Sequence, residues 1–229
     1  MNSENPQIDL SVSAEIKLYY DLFVPENLKK PAPLLIAVHG YGAHKRYMMR
    51  EARLVAPENF VVASIQAPHQ HFRQTDSGYK VGFGWLTDFR AEESVLLHHN
   101  FVKNLIEKLA ENKIVDAEKI YLYGFSQACA LNFRFAFTFP DLLRGVIGAC
   151  GGIPSDLETC NIYKPTIADV LYVYGNDDEF YPLEKFQNFE RKLKDYSPNL
   201  RTKSYKAKHE ITDEMREDIK EWLTVNYER

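Results

Sequence analysis

YLYGFSQACA, residues 121–130, decides how the rest of the chain is read. Tyr121, Leu122 and Tyr123 end an apolar strand, Gly124 interrupts it, and a helix of small residues starts directly after Ser126. Gly124-Phe125-Ser126-Gln127-Ala128 therefore fits the pattern small-x-Ser-x-small at a strand-to-helix corner. In such a corner the serine takes a strained backbone conformation, and bulky side chains two residues either side would clash. The helix start adds unpaired N–H groups and a positive dipole end, which suit a negatively charged oxygen. The competing interpretation is an ordinary serine N-cap. The apolar strand before it and the helix after it, apolar nearly all round, favour a nucleophile.

Outward from this corner, apolar runs alternate with helical patterns. LLIAVH (34–39), FVVASIQ (60–66), KIYLYG (119–124), RGVIGAC (144–150) and DVLYVYG (169–175) suit strands buried on both faces of a parallel sheet. Residues 91–112, 127–139, 183–196 and 212–227 read as helices, and Pro140 stops the second of them. Alternating strands and helices with short connections imply a mainly parallel central sheet with helices on both faces. Residues 8–25 alternate apolar and polar instead, and are expected to form an antiparallel hairpin at the sheet edge. With no repeat, low-complexity tract or linker, residues 1–229 are expected to form one α/β domain.

Composition narrows the function. Basic and acidic residues nearly balance, 28 against 32, and no Lys/Arg-rich run supports nucleic-acid binding. The polar start MNSENPQIDL is unlike a signal peptide, and no stretch approaches the ~20 apolar residues of a membrane span. Cys129, Cys150 and Cys160 lack metal-ligand spacing and read as reduced thiols, so a cytoplasmic location is expected.

A nucleophilic serine needs a base, and the base needs an orienting carboxylate. His209 follows the strand-like LRTKSYKA (200–207) and is the only histidine after position 99. Asp177, Asp178 and Glu179 stand together after the strand 169–175, and local sequence leaves the choice among them open. An oxyanion hole would draw one N–H from Gln127 and another from Tyr41. Tyr41 lies in His39-Gly40-Tyr41-Gly42 after the strand 34–39, where Gly40 lets the backbone approach a substrate. His39 is then a loop-stabilising hydrogen bonder.

His39-Gly40-Tyr41-Gly42, Gly124-Phe125-Ser126-Gln127, Cys150-Gly151-Gly152-Ile153-Pro154, Gly175…Asp178…Pro182 and His209 together resemble the phospholipase/carboxylesterase family of α/β-hydrolases. That family includes the acyl-protein thioesterases, and the resemblance covers roughly residues 30–227. It implies an α/β-hydrolase fold with an antiparallel N-terminal edge, and it places the triad acid at Asp178. Ala128 departs from the family's usual glycine, and the aromatic segment 69–89 does not match the thioesterases.

The expected activity is that of a serine carboxylesterase on short-chain esters, through an acyl-enzyme formed by Ser126, His209 and Asp178. A thioesterase or lysophospholipase would use the same triad, and a non-catalytic interaction protein of this fold would normally have lost one member. No cofactor is implied, the partner is a small-molecule ester, and a homodimer stays open. His69, His71, His98 and His99 lack a convincing third ligand, so no metal is expected. Cys129 falls one helical turn past the corner and reads as core. The aromatics of residues 67–90, Phe83 and Trp85 among them, read equally as pocket walls or as a flap over the sheet. Residues 151–169 offer about one short helix, too little for a lipase lid.

Overall fold

Alternate residues of the apolar runs separate onto two faces, and each face acquires its own helices. The computed structural model describes residues 8–227. Its main sheet has the strand order β1-β3-β2-β6-β7-β8-β9. These strands are β1 (Tyr20–Phe23), β2 (Ala32–Val38), β3 (Val61–Ile65), β6 (Val115–Phe125), β7 (Gly145–Ala149), β8 (Asp169–Gly175) and β9 (Leu200–Tyr205). All pairs are parallel except β1 with β3. In β2, Leu34, Ile36 and Val38 face one core while Leu35 and Ala37 face the other. Burial on both sides explains why the strand reads as continuously apolar.

On the first face lie α2 (Ala91–Glu111), α3 (Gln127–Thr138) and α4 (Leu183–Tyr196), with Val102, Leu131, Phe133 and Phe186 in the core. On the second lie α1 (Lys45–Val55) and α5 (Asp213–Tyr227), with Met48, Ala52, Met215 and Ile219. The α3 helix packs on β6, β7 and α2, while Tyr163 and Tyr196 cover Phe137. That enclosure accounts for its apolar circumference. The guanidinium of Arg216 donates to both carboxylate oxygens of Glu51, at 2.8 and 2.9 Å, joining α5 to α1.

Two sequence expectations need correction. Residues 8–25 do not form a hairpin: only β1 is a strand, antiparallel to β3 at the sheet edge, and residues 8–19 carry no regular structure. Ile8, Leu10 and Val12 of the alternating stretch find no apolar face to bury against and stay exposed. Residues 67–90 are not an irregular loop. They hold a second, two-stranded sheet, β4 (His69–Thr75) paired antiparallel with β5 (Gly78–Gly84). The tight turn between them places Gly78 at φ +104°, a conformation that favours glycine.

Candidate active site

Ser126 sits between β6 and α3 with φ 55° and ψ −119°, a strained backbone for a non-glycine residue. Two contacts hold it there. Its N–H donates to the Ala149 carbonyl at 2.9 Å, and its own carbonyl accepts from Cys129 N–H at 3.0 Å. Gly124 is required by the close approach of α3. A Cβ there would lie 2.7 Å from Asn132 Nδ2 and 3.0 Å from the Ala128 carbonyl. Cys129 is buried beneath the corner, its Sγ 3.3 and 3.2 Å from the Gly124 and Ala149 carbonyls, so that its single S–H can donate to either. Burial raises that thiol's pKa, so it stays protonated and packs as core.

Two loops from neighbouring strands converge on Ser126. After β8, Asp178 turns inward with its side chain sealed from solvent. Its Oδ1 accepts from Phe180 and Tyr181 N–H at 2.8 and 3.0 Å. Its Oδ2 stands 2.8 Å from His209 Nδ1. After β9, His209 places Nε2 2.9 Å from Ser126 Oγ. The His209 ring lies between Phe125 and Phe180, at 5.0 and 4.8 Å between centroids, and its backbone N–H donates to Glu179 Oε2 at 3.0 Å. With the proton on Nδ1 donated to Asp178, Nε2 is left to accept from the serine hydroxyl. Asp177 is exposed and meets this loop only through its N–H, which donates to the Ala207 carbonyl at 3.0 Å.

The loop after β2 completes the surround. His39 is buried, its Nδ1–H donates to the Gly40 carbonyl at 2.8 Å, and its Nε2 accepts from Ala67 N–H at 3.1 Å. Burial pushes its pKa down to about 4, which keeps the ring neutral. A Cβ on Gly40 would come within 3.1 Å of Ser126 Cβ, so glycine here lets the loop backbone lie against the serine. Among the described residues, the N–H groups of Tyr41 and Gln127 are both free of protein acceptors.

The β4–β5 hairpin braces this loop. Phe83 O accepts from Gly42 N–H at 2.8 Å, and Trp85 N–H donates to Gln127 Oε1 at 2.9 Å. Trp85 Nε1–H donates to the His39 carbonyl at 2.8 Å, with the indole only 1% exposed. Trp85 and Phe83, expected as pocket walls, are not among the residues that line the cavity beside Ser126. Trp85 fills the floor beneath His39, and Phe83 turns its ring edge-on to His44.

A cavity of about 560 Å³ opens beside Ser126, walled by Tyr41, Leu86, Ile153, Tyr181 and Phe189, with Lys185 and Lys192 at its rim. Sequence reasoning missed these walls. Their signal was faint: positions 185, 189 and 192 share one stripe of α4, and 152–155 follow β7. Elsewhere His69 bonds Ser94 Oγ at 2.9 Å, His71 stacks on Tyr41, and His98 packs against Trp85. His99 lies against Phe135 and Phe139.

A mostly parallel sheet with helices on both faces, and a strained serine at the strand–helix corner, defines an α/β-hydrolase. The chain belongs to the phospholipase/carboxylesterase family, whose profile matches residues 20–227. Acyl-protein thioesterase 1 of Gibberella zeae is 26% identical over 136 residues. That alignment spans 57% of each chain, little more than half of the curated relative's length. Among solved structures, esterase PE8 superposes with a TM-score of 0.72 at 18% identity, covering 92% of this chain and 99% of the other. Zea mays acyl-protein thioesterase 2 gives 0.69 at 17% identity, with 91% and 98% covered. At these identities the two structures establish a shared fold.

Proposed function

We propose that this protein is a serine carboxylesterase that hydrolyses short-chain carboxylic esters through an acyl-enzyme. The observation that carries the proposal is the hydrogen-bonded line from Asp178 through His209 to Ser126, ending at a serine held at φ 55°. Ser126 Oγ attacks the ester carbonyl while His209 Nε2 takes its proton, then returns it to the departing alcohol. Asp178 fixes the ring's tautomer and stabilises the imidazolium. The free N–H groups of Tyr41 and Gln127 receive the oxyanion, each such donor typically contributing about 10²–10³ in rate. Water, activated by the same histidine, then releases the acid.

The preference for short, soluble esters is supported by what covers the cleft. The connection from β7 to β8 folds as turns, without a helix among its described residues. It is tied down by Asp156, which accepts from Arg134 at 2.8 Å and from Tyr163 at 3.3 Å. Such a connection supplies no apolar lid for an interface. A fluorophosphonate probe should modify Ser126, and a p-nitrophenyl ester series should peak between acetyl and roughly hexanoyl, with no jump in rate above the substrate's solubility limit. Labelling elsewhere, or a palmitoyl optimum, would overturn the proposal.

Acyl-thioester hydrolysis is a second reading, favoured by the likeness to the Gibberella zeae and Zea mays acyl-protein thioesterases. Acetyl and hexanoyl thioesters assayed beside the matching oxygen esters decide between them.

A further inference from the structure

The chain as a whole is slightly acidic, 28 basic against 32 acidic residues. Its catalytic cleft is the reverse: two lysines line it and, among the described residues, no aspartate or glutamate does. We propose that the cleft selects esters bearing a negatively charged group, held by Lys185 on α4. This deepens the esterase assignment and rests on it.

Lys185 is held without being neutralised. Its Nζ lies 5.1 Å from the Tyr181 ring centroid and 5.9 Å from that of Phe189, both of which wall the same cleft. Aromatic faces attract the ammonium and restrict it but leave its charge available. Among the described residues no carboxylate forms an ion pair with it. The nearby loop acids are otherwise occupied, Asp178 by His209 and Glu179 by the His209 N–H. Lys192, two turns further along the same stripe, pairs with Glu158 and is thereby partly neutralised.

Helix stability does not account for Lys185. It is the third residue of α4, where the helix dipole is positive and a cation is disfavoured. The unpaired ammonium and that dipole end both raise the potential at one wall of the cleft, and an anionic substituent on the substrate relieves it.

Two matched pairs of esters test the proposal: p-nitrophenyl hexanoate against the mono-p-nitrophenyl ester of adipic acid, and phenyl acetate against 4-sulfophenyl acetate. The quantity read is the kcat/KM ratio of anionic to neutral ester, corrected for each compound's rate with hydroxide. The ratio is expected to favour the anion by about twofold to fivefold in at least one pair, the size of an exposed charge–charge contact. It should fall toward one in Lys185→Gln, invert in Lys185→Glu, and shrink in about 0.5 M NaCl, where screening is strong. Lys192→Gln should lower it less. A preference for the neutral ester in both pairs, or a ratio unmoved by Lys185→Gln, overturns the proposal. Failure of the esterase assignment looks different: none of the four esters is turned over, or Ser126→Ala still turns them over.

Discussion

His39 and His209 each follow a strand of the parallel sheet, and each bears on Ser126, His209 directly and His39 through Gly40. Their surroundings give them opposite chemistry. His39 donates to a carbonyl and accepts from a backbone N–H, and burial holds its pKa near 4, so it has no proton to trade at neutral pH. His209 stands between a sealed carboxylate and a hydroxyl, an arrangement able to take a proton and give it back. The partners facing the two ring nitrogens, and not proximity to the serine, separate a strut from a base.

The largest expected effect breaks the second half of that contrast. Ser126→Ala or His209→Ala should lower kcat on p-nitrophenyl acetate by at least about 10⁴-fold, with circular dichroism unchanged. Asp178→Asn comes next, at about 10³–10⁴-fold, because the carboxamide no longer secures the Nδ1–H tautomer. Asp177→Asn should stay within about threefold, since its carboxylate touches neither the histidine nor the serine. A larger loss in Asp177→Asn than in Asp178→Asn would assign the acid to the wrong neighbour.

That choice of acid shows where the sequence stops being legible. Five core strands were readable because burial on both faces leaves continuous apolar runs. Helices at 183–196 and 127–139 were readable from periodicity and Pro140. The serine corner and the lone downstream histidine were equally visible. Among Asp177, Asp178 and Glu179 the local sequence does not choose, and only the family resemblance pointed to Asp178. The turn supplies the physical reason, since Phe180 and Tyr181 N–H groups fold Asp178 inward while its neighbours face solvent. The α1 helix escaped notice because just Met48, Ala52 and Val55 of its eleven residues are buried. The β4–β5 hairpin escaped because neither face is buried along most of its length, which erases the alternation a strand normally shows. The bracing role of Trp85 depended on that hairpin and was hidden with it.

A smaller effect probes the strut. Unfolded, His39 binds a proton near 6.5; folded, it does so only near 4. Between these values the unfolded chain holds more protons, so this contribution is fully present above pH 6.5 and is lost as pH falls toward 4. Each such histidine should remove about 2 kcal/mol between its ordinary pKa and roughly pH 5. His98, pushed down to about 3, and His99, to about 4, act in the same direction through burial. Urea midpoints measured across this range should therefore fall with acid, and His39→Gln should flatten the slope while lowering stability at pH 7. A wild-type midpoint independent of pH would mean that these rings find protons in the folded state.

The smallest effect concerns Trp85, which supports His39 from below. Trp85→Phe keeps an aromatic ring in the floor but removes the indole N–H from the His39 carbonyl and leaves a small void. The lost hydrogen bond and incomplete packing together should cost about 1–2 kcal/mol, read as a lower melting temperature. Because Trp85 is sealed away from the cleft while Leu86 lines it, the two neighbours should separate stability from selectivity. Trp85→Phe should leave the preferred acyl length where it was. Leu86→Ala should move it toward longer chains with little change in melting temperature, Leu86 being only half-buried. If Trp85→Phe shifted the acyl optimum and Leu86→Ala did not, the hairpin would be shaping the pocket through the position of the His39 loop, and the division between strut and wall would fail.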